Sequence, residues 1–112
     1  MLQDVQSFDG GRSVVLNVPR CFDYEIVRVY LAAFVGACVD RVKVEINLLE
    51  TREMTSAALG FLLWLEDKLA RFNGTLVVKN SSAALAKLFR VAGLERFLDA
   101  DSVSPAKAAL AG

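Results

Sequence analysis

The chain has 112 residues, with 13 basic and 13 acidic side chains that cancel, and no histidine. Its length suits one compact domain spanning 1–112, and its 54% hydrophobic residues exceed what a disordered chain carries. The balanced charge leaves no nucleic-acid or membrane-surface footprint, and without histidine there are no Ser-His or Cys-His nucleophile pairs, histidine bases or histidine metal sites.

The opening Met1-Leu2-Gln3-Asp4 lacks a basic segment followed by an apolar one, so no leader peptide is expected. Val14, Leu16 and Val18 alternate with Ser13, Val15 and Asn17 after Gly10-Gly11, the pattern of a strand that Pro19 stops. Residues Leu2 to Phe8 are its expected hairpin partner. Asp23 is a good N-cap for a helix whose stripe Ile26, Val27, Tyr30 and Phe34 has the spacing of one helical face, with Gly36 weakening its end. Cys21 and Cys38 form no CxxC and sit beside apolar residues, so two buried free thiols are expected rather than a disulfide.

The clearest strand follows. Val42, Val44, Ile46 and Leu48 face one way and Lys43, Glu45 and Asn47 the other, which predicts a sheet with one face less deeply covered. A second helix is predicted from Ser56 to Phe72, stopped by Asn73-Gly74, and then a strand from Thr75 to Lys79. Ser81 or Ser82 caps a third helix with Leu85, Leu88, Phe89 and Ala92 on one face, and Gly93-Leu94 has the form of a Schellman closure. A short strand is expected near Phe97-Leu98. From Ser104 the chain is alanine-rich after Pro105, so 104–112 form either a final helix or a flexible tail. The strand-helix-strand unit implies a parallel pair with a right-handed crossover. No apolar run approaches the roughly 20 residues that span a bilayer, so a soluble cytoplasmic domain without direct membrane insertion is the expectation.

Several segments in order carry a resemblance. Met54-Thr55-Ser56-Ala57-Ala58-Leu59-Gly60-Phe61-Leu62-Leu63 enters an apolar helix, Asn73-Gly74-Thr75-Leu76-Val77-Val78 turns into a strand, and Leu88-Phe89 precedes Gly93-Leu94-Glu95-Arg96-Phe97. This run resembles the STAS domain of the anti-sigma-factor antagonist family, in which an apolar-Asp-Ser turn enters the helix. Arg20-Cys21-Phe22-Asp23 is similar to the segment that opens the first helix in part of that family. The resemblance implies an α/β fold with a mixed four- to five-stranded sheet, an N-terminal β-hairpin and three to four helices. It implies a regulator, not an enzyme: no catalytic residues, cofactor or metal, and as partners an anti-sigma factor or serine/threonine kinase and a phosphatase. The family's phosphorylated serine corresponds to Ser56, with Thr55 the alternative. The family aspartate is Thr55 here, and the second serine of the pair is Ala57.

A phosphate on Ser56 adds nearly two negative charges at a helix start. The helix dipole favours that charge, whereas a partner surface fitted to a neutral hydroxyl does not. The plainer reading of Ser56 is an N-cap that accepts a backbone hydrogen bond. At 100° per residue, Leu62, Leu65, Leu69 and Phe72 cluster on the core side of the second helix, and Phe61 falls at the boundary. Ser56, Gly60, Leu63 and Trp64 lie on the other side, near Asp67 and Arg71. An outward Leu63 and Trp64 beside the serine suggest an interface made of Thr55, Ser56, Ala57, Gly60, Leu63, Trp64 and Asp67, serving a partner or a homodimer. The alternative is that Trp64 packs under the hairpin or the tail.

Glu50, Arg52 and Glu53 form an alternating-sign loop best read as solvated surface, and Asn80-Ser81-Ser82 lacks the glycine-rich cradle of a phosphate site. Two other functions compete. One is a STAS scaffold, such as an accessory subunit of a lipid-transport ATPase, which the missing acid at Thr55 favours. The other is a small enzyme or nucleotide-binding domain of flavodoxin-like order.

Overall fold

A computed structural model describes residues 5–8, 12–34 and 40–98 of the chain. The expectations for Leu2–Asp4, the Gly10-Gly11 turn, Gly36, Cys38 and the 104–112 tail lie outside these residues. Strands β1 (Val5–Phe8), β2 (Ser13–Asn17) and β3 (Cys21–Phe22) precede helix α1 (Tyr24–Phe34). Then come β4 (Lys43–Asn47), β5 (Glu53–Met54), α2 (Ser56–Ala70), β6 (Thr75–Lys79), α3 (Ala83–Val91) and a 3-10 turn at Glu95–Phe97.

The main sheet has the order β1-β2-β4-β6, and β3 and β5 form a separate two-stranded sheet. The β1–β2 hairpin is antiparallel, while β2–β4 and β4–β6 are parallel, with Leu16, Ile46 and Val78 in one row. Val14, Val44 and Leu76 form the next row on the same face. Leu16, Val44, Ile46 and Val78 are fully buried under the helices, and each stabilises the fold by about 1.5–3 kcal/mol through burial. The opposite face stays exposed at Gln6, Lys43 and Thr75, as the alternating pattern of the strand implies.

The helix boundaries follow their capping residues. The Asp23 carboxylate accepts from the Ile26 N–H (3.2 Å) at the start of α1. Ser82 rather than Ser81 caps α3, its hydroxyl accepting from the Leu85 N–H (3.2 Å). At the end of α3 the Leu94 N–H reaches the Phe89 carbonyl (2.8 Å) and the Gly93 N–H reaches that of Arg90 (3.1 Å). With Gly93 at φ 76, this is a Schellman closure. At the end of α2 it is Asn73 that takes positive φ (56°). Gly74 is needed for a different reason: a Cβ there would stand 2.6 Å from the Val42 carbonyl oxygen.

Several expectations are corrected. Helix α2 ends at Ala70 rather than Phe72, because the Asn73 turn withdraws 71–73 from the helix, and Phe72 is only half-buried. Ala92 is exposed, since it lies in the turn after α3, and Ala86 fills the inner face in its place. Ile26 and Leu88 keep their expected places on the inward faces, half-buried and packed against the core. The strand expected near Phe97-Leu98 is the 3-10 turn followed by a single parallel bridge from Leu98 to Val78. Among the described residues no helix is long and apolar enough to cross a membrane.

Candidate functional site

The segment entering α2 is held by the small parallel sheet, in which Cys21 pairs with Glu53 and Phe22 with Met54. This sheet was not legible as strands, because each has two residues and no periodicity. Hydrogen bonds extend it along the whole connection. The buried Thr51 hydroxyl lies 3.0 Å from the Val18 carbonyl oxygen and 2.9 Å from that of Pro19, and donates toward them. The N–H groups of Arg52 (2.8 Å) and Glu53 (3.1 Å) both reach the Arg20 carbonyl. The Thr55 N–H (3.1 Å) and hydroxyl (3.4 Å) both donate to the Phe22 carbonyl.

That last pair corrects the reading of Ser56 as a cap. Drawn to Phe22, Thr55 stays extended (φ −98°, ψ 171°) and occupies the N-cap position, so helical dihedrals begin at Ser56. The Thr55 side chain makes no capping bond, and its carbonyl accepts from Ala58 (3.0 Å) and Leu59 (3.4 Å). Ser56 is exposed and its hydroxyl makes no hydrogen bond among the described residues. The first turn of α2 contains no acidic side chain.

The outward face of α2 is as the projection expects. Ser56, Gly60 and Asp67 are exposed, Leu63 is 44% exposed and Trp64 37%, while Ala57 is half-buried. Asp67 is engaged by Arg71 (3.1 Å), one turn on. The Trp64 ring stacks on Phe61 (centroids 6.1 Å, 23°), and the Lys68 ammonium lies 5.7 Å from its centroid. Phe61 itself is corrected from boundary to core. It is buried among Phe22 (6.2 Å), Tyr30 (5.9 Å) and Phe34 (6.5 Å), because α1 packs against that flank of α2 and widens the buried arc. The buried Ala58 lies on the same inner face.

The remaining candidates are quiet. Glu50, Arg52 and Glu53 are exposed, as solvated surface should be. Cys21 is a half-buried free thiol. Burial, with the charges of Asp23 and Glu53, pushes it above the usual thiol range and so keeps it protonated. Among the described residues no cluster of three or more acidic or cysteine side chains is arranged to hold a metal. An open cleft of about 580 Å³ lies between Leu49–Arg52 and the start of α3, and none of the expected docking residues lines it.

The hairpin, the parallel β2-β4-β6 core and the turn into α2 give this chain the STAS fold seen in anti-sigma-factor antagonists. It is similar to the solved structure of the anti-sigma factor antagonist SpoIIAA in its unphosphorylated form, at a TM-score of 0.75 and 18% identity over 95% of this chain and 90% of that one. It is also similar to the structure of the Bacillus cell fate determinant SpoIIAA in the phosphorylated form, at a TM-score of 0.64 and 20% identity over 95% of this chain and 94% of that one. At these identities the likeness is one of fold. No protein-family model and no curated protein matches the chain.

Proposed function

We propose that the chain is a regulatory protein-binding module of the anti-sigma-factor antagonist type, working in the cytoplasm as a substrate of a kinase and not as an enzyme. Its docking surface is the outward face of α2, formed by Thr55, Ser56, Ala57, Gly60, Leu63, Trp64 and Asp67, and Ser56 is the residue modified. One observation carries this reading. Ser56 stands exposed at the first position of α2, its hydroxyl unengaged among the described residues, on the face that also exposes Leu63 and Trp64. Thr55 is the weaker acceptor, because its hydroxyl already donates to Phe22. The partners would be an anti-sigma factor or serine/threonine kinase, with a phosphatase to reset the switch. Similarity to SpoIIAA structures in unphosphorylated and phosphorylated forms supports the same direction.

The second reading is a permanent STAS scaffold, favoured by Thr55 in place of the acid. Mass spectrometry of the protein recovered from its native cell separates the two. Phosphate on Ser56 is the expected result; its absence from both Ser56 and Thr55 under all growth conditions would sink the switch and leave the scaffold.

A further inference from the structure

The main sheet has one edge that is closed along only part of its length. β6 is the outermost strand in the order β1-β2-β4-β6. The Thr75 N–H donates to the Val42 carbonyl (2.9 Å), and the Lys79 carbonyl accepts from the Leu48 N–H (2.9 Å). Thr75, Val77 and Lys79 therefore direct their backbone groups at β4, and alternation along the strand turns those of Gly74, Leu76 and Val78 toward the free edge. At Val78 that edge is occupied, because Leu98 forms a parallel bridge there. At Leu76 it is open. The N–H and C=O of Leu76 and the C=O of Gly74 have no partner among the described residues.

The open stretch borders a groove of about 280 Å³. A strand running straight back from Leu98 would set Arg96 beside Leu76 and close it. Instead the 3-10 turn carries Arg96 to α2, where its guanidinium holds both Glu66 carboxylate oxygens at 2.8 Å. The turn thus forms one wall of the groove and the end of α2 the other. Buried Leu69 and Phe97, half-buried Leu76 and exposed Ala70 make much of the lining apolar. None of the residues proposed for docking on α2 lines it, so this surface is separate from that of the proposed function.

We propose that this groove binds an extended segment of another protein, which adds to β6 as a further strand beside residues 74–76 and seats an apolar side chain in the groove. An acceptor, a donor and an acceptor in succession along one strand edge are matched by another main chain, and strand addition of this kind is a recurring mode of peptide recognition. Leu98 shows that this edge accepts a parallel strand. A residue paired with Leu76 points its side chain to the same sheet face as Leu76, the face under the helices, where Leu69 and Phe97 lie buried. Two other occupants meet obstacles. The chain itself runs with β6 at Leu98, toward Lys79 and away from the open stretch. A second copy paired antiparallel about a two-fold axis at Leu76 would put its Gly74 opposite Val78, the place that Leu98 holds.

The test selects binders of the purified full chain from a random peptide library and titrates them into the isotope-labelled chain under NMR. A selected peptide is expected to shift the resonances of residues 74–76 and to slow exchange of the Leu76 amide proton by about tenfold or more. Methylating the peptide's main-chain nitrogens one at a time should lower its affinity by about tenfold at the position that pairs with the edge. Ala70→Arg, at an exposed position on the groove wall, should abolish binding while circular dichroism shows an unchanged fold. Peptides that leave Leu76 undisturbed, bind Ala70→Arg as well as wild type, or keep their affinity whichever nitrogen is methylated overturn the proposal, as does a library that yields no binder. A Leu76 amide already slow to exchange in the free chain overturns the assigned occupant in favour of a segment of this chain. Slowing that appears only as the protein concentration is raised overturns it in favour of a second copy.

Discussion

Ser56 and Thr55 are adjacent hydroxyl side chains with opposite situations. Thr55 gives its N–H and its hydroxyl to one carbonyl across the small sheet, which leaves Ser56 at the first position of α2 and outward. An ionised carboxylate at position 55 would have no proton to donate to Phe22, so the threonine hydroxyl adds a second bond to the backbone tie between the strands. Phe61 shows how one side chain supports the site from beneath: it fills the space between α1 and α2 and is the surface on which Trp64 stacks. Phe61→Ala should cost about 3–5 kcal/mol of stability in chemical denaturation, as large aromatic deletions from cores do. The same substitution should also raise the solvent exposure of Trp64, read as a red shift of its fluorescence. A loss below about 1 kcal/mol would mean that the aromatic cluster is not packed as described.

At the scale of elements, the connection from β4 to α2 is a strap laid along the β2–α1 connection. Thr51 is its buried fastening. Thr51→Val keeps the shape and removes the donor, so a buried carbonyl loses its partner; the expected cost is about 1–3 kcal/mol in a denaturant titration. Thr51→Ser should recover most of that loss, and an unchanged midpoint for the valine variant would show that the strap does not depend on this hydroxyl. This strap marks the limit of what could be read from the sequence. The β2, β4 and β6 strands, the three helices and the caps of α1 and α3 were legible because periodicity and capping residues are local signals. The β3–β5 pairing joins residues about thirty positions apart in two-residue strands and has no local signature. The predicted helix start at Ser56 holds, but the reading of Ser56 as its cap does not, since the pull of Phe22 on Thr55 is not written near either residue. The outward face with Leu63 and Trp64 was legible from helical geometry alone. Phe61 was not, because a projection of one helix cannot show that a second helix covers its flank.

At the scale of the whole molecule, a bidentate pair ties the 3-10 turn at Glu95–Phe97 to α2. Arg96 reaches both Glu66 carboxylate oxygens at 2.8 Å, and also the Gly93 carbonyl at 3.1 Å. Hydrogen bonding from Arg96 holds the Glu66 carboxyl below the ordinary glutamate range, against a smaller desolvation effect. A carboxyl whose folded value is depressed adds stability above its unfolded value and loses it as pH falls through the folded one. Thermal unfolding should therefore show wild type above Glu66→Gln at pH 7, with the gap closing as pH is taken to about 3. Both side chains are partly exposed, so the gap should be modest and shrink in high salt. A gap that widens on acidification would contradict the assignment.

The proposed function rests on one claim, that the exposed serine and the partly apolar face beside it hold a partner that is released when charge is added. The most direct measurement compares wild type, Ser56→Ala and Ser56→Asp in quantitative co-purification from the native cell, with circular dichroism to establish that all three are folded. The account predicts that wild type and Ser56→Ala retain the same partner, that Ser56→Asp loses it by about tenfold or more, and that all three melt alike. Equal partner recovery by all three folded proteins would contradict it.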